Sequence, residues 1–91
     1  MNQPADEALS PTEKVAAVKR ARQAELLRKA NVVGVGVGYR RQRGQPTDTV
    51  ALVVMVSRKL PREQLAPEDL LPRELDGVPV DVQEVGELRA L

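Results

Sequence analysis

Residues 31–40 read N-V-V-G-V-G-V-G-Y-R. In an extended chain, successive side chains point to opposite faces. Val33, Val35, Val37 and Tyr39 then fall on one face, and Gly34, Gly36 and Gly38 on the other. One side of this strand is a β-branched apolar ridge; the other is bare backbone. Glycine inside a strand costs about 0.5–1 kcal/mol relative to alanine and packs nothing. Three glycines at a spacing of two therefore point to close approach by another backbone. They mark this strand as the element around which the chain is organised.

Towards the N-terminus, Ser10-Pro11-Thr12-Glu13 is a helix start. Serine is a favoured N-cap, proline suits the first helical position, and Glu13 completes a capping box. The residues that follow are good helix formers without an internal Gly or Pro. The pattern predicts a helix from Pro11 to about Lys29, with Arg28 and Lys29 in its last turn and Asn31 as its C-terminal cap. Residues 1–9 are polar and lack periodicity; they are expected to form a loose tail, leaving 10–91 as a single domain. The apolar stripe of the helix is weak. Ala17, Ala21 and Ala24 make a narrow ridge with Leu27 beside it, while Val15, Val18 and Leu26 lie elsewhere around the axis. Two arrangements follow. The alanine ridge packs on Gly34, Gly36 and Gly38, within the chain or against a neighbour. Alternatively, the helix lies on the valine face and a partner subunit covers the glycines.

Towards the C-terminus, residues 40–48, R-R-Q-R-G-Q-P-T-D, are basic and rich in turn formers, which reads as a hairpin loop. The next strand, Thr49 to Ser57, is apolar on both sides: Val50, Leu52, Val54 and Val56 on one, Ala51, Val53 and Met55 on the other. A central strand covered on both faces is expected. One helix supplies one cover, so the second is assigned to residues 58–77 or to another chain. Pro61, Pro67 and Pro72 restrict that segment to short helical turns, with residues 67–71 as one candidate. Leu75-Asp76-Gly77-Val78 carries a tight-hairpin signal, and Val78, Val80 and Val82 then alternate with Pro79, Asp81 and Gln83. Proline in that last strand places it at a sheet edge. The predicted fold is α+β: one long N-terminal helix followed by a three- to four-stranded, mainly antiparallel sheet.

Composition narrows the chemistry. Ninety-one residues make one domain, and a chain this short buries only about 60% of the surface exposed when unfolded. Its large apolar residues are aliphatic, fourteen Val and eleven Leu with Tyr39 the single aromatic, so the core is thin. Histidine and cysteine are both absent. That removes Ser-His and Cys-His nucleophile pairs, the usual zinc ligand sets and disulfides. The acidic residues fall in turns or surface positions that do not raise a carboxyl pKa. No enzyme activity, catalytic residue, cofactor or metal is expected. The glycines do not cradle a nucleotide either, because that fingerprint needs G-x-G-x-x-G where a strand enters a helix. No apolar run approaches the roughly 20 residues of a membrane span, and the N-terminus lacks the pattern of a secretory signal. A cytoplasmic location away from membranes is expected.

Charge is unevenly placed. Residues 1–13 carry a net −3, residues 14–43 a net +8 and residues 44–91 a net −4. Arg40, Arg41 and Arg43, with the basic helix, are candidates for contacting an anion or a nucleic acid. The overall pI of about 8.1 and the lack of stacking aromatics make nucleic acid the second choice. The first choice is self-association. Apolar strand faces outnumber the elements able to cover them, so a homo-oligomer joined through the sheet is expected, with Gly34, Gly36 and Gly38 opposite Ala17, Ala21 and Ala24 as candidate contacts. Docking to a separately encoded protein is a further expectation.

Three segments together carry a family likeness: N-V-V-G-V-G-V-G-Y at 31–39, V-V-M-V-S-R-K-L-P at 53–61 and L-P-R-E-L-D-G-V-P-V-D-V-Q-E-V-G at 71–86. They resemble the N-terminal accessory region that precedes the peptidase domain in bacterial proteins related to trypsin-like serine peptidases. The chain ends where such a peptidase domain would start, and without histidine it offers no position for that family's catalytic residues. The resemblance implies an accessory α/β module used for assembly or docking, not proteolysis.

Overall fold

Ser10 caps the first helix as its sequence requires. Its hydroxyl accepts the Glu13 N–H at 3.1 Å, and the Glu13 carboxylate accepts the Ser10 N–H at 2.9 Å. That backbone hydrogen bond, with the one from the serine hydroxyl, holds the Glu13 carboxyl below its ordinary pKa. The computed structural model describes residues 9–86; of the expected tail only Leu9 falls among them, and residues 87–91 lie outside. Helix α1 spans Pro11–Leu27, two residues shorter than expected. Arg28, not Asn31, is its C-terminal cap, and no basic residue lies in its last turn. Asn31 instead takes a left-handed φ of 75°. Its side chain bonds the Arg58 carbonyl and the Ser57 hydroxyl, and its carbonyl accepts the Ser57 N–H at 2.9 Å. The residue that ends the helix turn therefore also ties it to the end of the central strand.

Strands β1 (Val32–Gln42) and β2 (Gln45–Val56) form a long antiparallel hairpin. The nine-residue loop expected over 40–48 shrinks to Arg43-Gly44, both at positive φ (53° and 79°), as a type I′ turn requires. Arginine and glutamine extend the ladder where composition alone suggested a loop. Strands β3 (Glu74–Leu75) and β4 (Val78–Glu84) pair antiparallel around Asp76-Gly77, whose φ values of 50° and 84° fit the same turn type. The sheet order is β1-β2-β4-β3, and β4 runs parallel to β2. The sheet is thus mixed. A parallel pair needs a crossover of a dozen or more residues, which the proline-rich connection supplies. Its regular pieces are two 3₁₀ turns, Arg62–Gln64 and Pro67–Asp69. β4 is not simply the edge: β3 flanks its first residues, placing Pro79 opposite Glu74.

The core lies on one side of the sheet. Val15 and Leu26 of α1 pack with Leu52, Val54, Val78 and Val80, and Leu71 and Leu75 of the connection close around them. Pairing places Val35 beside Val54 and Val37 beside Leu52, so this is the valine face, and Gly34, Gly36 and Gly38 lie on the other. The intrachain alanine-on-glycine contact therefore does not occur. Ala17 is half-buried, and Ala21 and Ala24 are exposed. The larger Val15 and Leu26 set the helix orientation, because burying such a side chain gains about 1.5–3 kcal/mol and alanine offers much less area. Arg22 fixes the helix from its exposed side. Its guanidinium grips the Asp76 carboxylate at 2.8 and 3.0 Å and also reaches Glu25 at 3.1 Å. The bond from Arg22 holds the Asp76 carboxyl below its usual range.

The expectation that β2 needs a cover from elsewhere is also corrected. On the glycine side Ala51 is 0% and Val53 7% exposed within the single chain. Strand β1 has a break in register between Tyr39 and Arg41. There the Arg41 N–H donates to Asp81 Oδ2 of β4 at 3.1 Å, reaching past the intervening strand β2. The hairpin end is thus tied to β4 on the side where Ala51 is enclosed.

Candidate functional site

Candidate contact residues concentrate on β1 and its glycine side. The strand is eleven residues long, pairs only with β2, and has no neighbour on its outer edge among the described residues. Edge strands usually carry proline, lysine or inward-pointing charge to block further pairing. Val32 to Tyr39 carries none of these. Val33, Val37 and Tyr39 are 38%, 39% and 57% exposed. The opposite side of the sheet contrasts with this: there the terminal strand β3 is two residues long and β4 carries Pro79.

The three glycines have different surroundings. A Cβ at Gly34 would meet Met55 Cε at 2.9 Å, and one at Gly38 would meet Val53 Cγ2 at 3.1 Å. At these positions β2 side chains lie on the bare backbone of β1; the stiff Val53 contact accounts for the glycine at Gly38, whereas the end of the flexible Met55 side chain can shift aside at Gly34. At Gly36 the nearest atom is Met55 Cε at 3.8 Å, an ordinary contact distance. The chain's own packing leaves room for a Cβ there. Around Gly36 and Gly38 the surface forms an open groove bordered by Met55, Val53, Arg41 and Gln83. Gln83 Nε2 donates to Asp81 Oδ2 at 3.0 Å, so the carboxylate that receives Arg41 is shared.

Sequence reasoning placed the glycines on one face correctly but missed Met55 and Asp81 as the groups that occupy and border it. The available signal was alternation: Val53 and Met55, then Asp81 and Gln83, each recur at a spacing of two. Arg40 and Arg41 lie at the register break of β1, and Arg43 sits in the exposed turn that follows. The Arg40 carbonyl accepts the Thr47 hydroxyl at 2.7 Å. Basic residues of the helix and of the turn after it are partly engaged as well: Arg22 by Asp76, and Lys29 Nζ by the Glu68 carbonyl at 2.6 Å. Among the described residues no cluster of three or more acidic side chains is placed to hold a metal ion. No helix among them is long and apolar enough to cross a membrane.

No curated protein matches the chain. One family model does, over residues 15–85: the NARROW LEAF 1 N-terminal domain. This match corrects the likeness to an accessory region of bacterial trypsin-like serine peptidase-related proteins. The three segments behind that likeness are the glycine strand, the end of β2 with its exit, and the β3–β4 hairpin. They encode strands and a turn, which unrelated lineages can share, and carry no chemistry that identifies a peptidase context. The match runs from the second turn of α1 to the end of β4, well over half of the chain, and so the protein belongs to the NARROW LEAF 1 N-terminal domain family.

Proposed function

We propose that the chain is a non-enzymatic assembly module that self-associates through β1, its glycine side and its open edge. The observation that carries the reading is Gly36. A strand-interior glycine costs about 0.5–1 kcal/mol, and no atom of its own chain requires one there, the nearest being 3.8 Å from a built Cβ. A second surface packing closely on the bare glycine face supplies the missing reason, because side chains project from the faces of a sheet. Two β1 strands related by a two-fold axis form an isologous contact that extends the sheet and removes both free edges. The support differs from that expected of the sequence, since β2 is sheltered within one chain and the shortage of covering elements no longer argues for assembly. Docking of a separately encoded protein and a cytoplasmic setting belong to the same proposal.

Sedimentation equilibrium at micromolar concentration tests it, with Gly36→Val as the probe. Because a Cβ meets only the end of the flexible Met55 side chain at 3.8 Å and β-branched residues favour strands, the variant is expected to fold and to associate more weakly. A stable monomer of the natural sequence, or unchanged association of a folded Gly36→Val variant, overturns the contact.

A further inference from the structure

A second surface lies where the proline-rich connection leaves the sheet, away from the β1 edge. There Val56 and Val82 form the floor of an open cleft of about 210 Å³, with Leu65 and Leu71 among its walls. The two 3₁₀ turns of the connection contain no buried residue, and its leucines are only half-buried, so their apolar surface is incompletely covered. Arg58, Lys59 and Arg62 line the same cleft and are exposed. Among the described residues none of the three makes an ion pair. Two carboxylates are held by backbone: Asp69, which also lines the cleft, accepts the Ala30 N–H at 2.9 Å through Oδ1, and Glu84 Oε1 accepts the Lys59 N–H at 2.8 Å. Asn31 holds the Ser57–Arg58 segment through its side chain, which keeps the cationic rim in place.

We propose that this cleft docks a partner protein through a short segment that inserts one or two aliphatic side chains and lays adjacent acidic residues on the Arg58–Arg62 rim. Size argues for a peptide anchor, since sites that enclose a small organic ligand span about 300–1,000 Å³. Buried anchors in a small pocket with a polar rim are how peptide and protein contacts concentrate affinity. Chemistry argues for an acidic, apolar segment over a phosphate backbone, which would meet the cations but gain nothing from the valine and leucine floor.

The test is a titration of ¹⁵N-labelled protein with a synthetic peptide, acetyl-G-L-L-E-D-E-amide. Saturable amide shifts centred on Ala30, Leu65, Leu71 and Val82 are expected. Two control peptides, one with serines for the leucines and one with lysines for the acids, are expected to bind about tenfold or more weakly. The double variant Arg58→Glu/Arg62→Glu, whose side chains are exposed, is expected to keep its spectrum outside the cleft and to lose about tenfold in affinity for the acidic peptide. Equal binding of the serine peptide, shifts centred elsewhere, or no shifts at millimolar peptide overturn the proposal. So does movement of the same amides when peptide-free protein is diluted, which would identify a second copy as the occupant.

Discussion

On the helix side of the sheet, Leu52 and Val54 are fully buried with Val15 and Leu26. One residue along the same strand, Val53 and Met55 turn the other way and lie against the backbone of Gly38 and Gly34. The first face is held by interdigitated volume, which needs a helix. The second is held by thinness: where one strand has no side chains, those of its neighbour lie down on it and shelter each other. The chain thereby covers both sides of its central strand with a single long helix among its described residues. The two faces should respond differently to substitution.

The widest separation is expected from Leu52→Ala against Met55→Ala. The first empties a fully enclosed site and should cost about 2–5 kcal/mol, a large share of the roughly 5–15 kcal/mol that holds a domain together. The second removes a half-exposed side chain and should cost about 1 kcal/mol. Urea unfolding followed by circular dichroism checks both, and equal losses would erase the distinction between the faces.

A finer contrast lies within the glycine stripe. At Gly38 an added methyl meets a stiff β-branched Val53, and Gly38→Ala should destabilise by about 1 kcal/mol. At Gly36 the methyl has space, and removing a strand glycine should stabilise the dispersed chain by about 0.5–1 kcal/mol. Thermal melts at low concentration separate the two signs. If both substitutions destabilise, Gly36 has an internal role that the packing does not reveal.

The smallest effect concerns how the helix is fastened over its face. Arg22 lowers the Asp76 pKa, so the pair contributes stability that is present above the unfolded carboxyl pKa of about 3.9 and is lost as pH falls through the lower folded value. Both partners are exposed, and the contribution is small. Urea midpoints of the natural chain should therefore fall more between about pH 5 and pH 3 than those of Asp76→Asn. Parallel pH profiles would show the contact to be energetically silent.

Much of this architecture was legible in local chemistry. The Ser10 capping box, the short turn at Pro67, the Asp76-Gly77 hairpin and the segregation of Gly34, Gly36 and Gly38 are all consequences of a few adjacent residues. What escaped was long-range. The parallel pairing of β2 with β4 depends on where a proline-rich crossover returns, and the side chains of that crossover do not state a direction. The alanine ridge misled because spacing shows which residues share a helix face but not which face wins burial; Val15 and Leu26 won by area. The candidate site was half visible: the stripe could be read, but Met55, Val53 and Asp81 meet it only across strands.

By itself, the sequence determined the start of the helix, the Asp76-Gly77 turn, the side of β1 that would be bare, and the absence of imidazole and thiol chemistry, because each follows from backbone geometry or composition. Only the tertiary structure decided that the helix covers the valine side, that Arg41 at the register break of β1 reaches Asp81 of β4, and that a Cβ meets a tight contact at Gly34 and Gly38 but not at Gly36. Those outcomes depend on distances between residues far apart along the chain, where competing contacts are resolved by the area and shape of what meets.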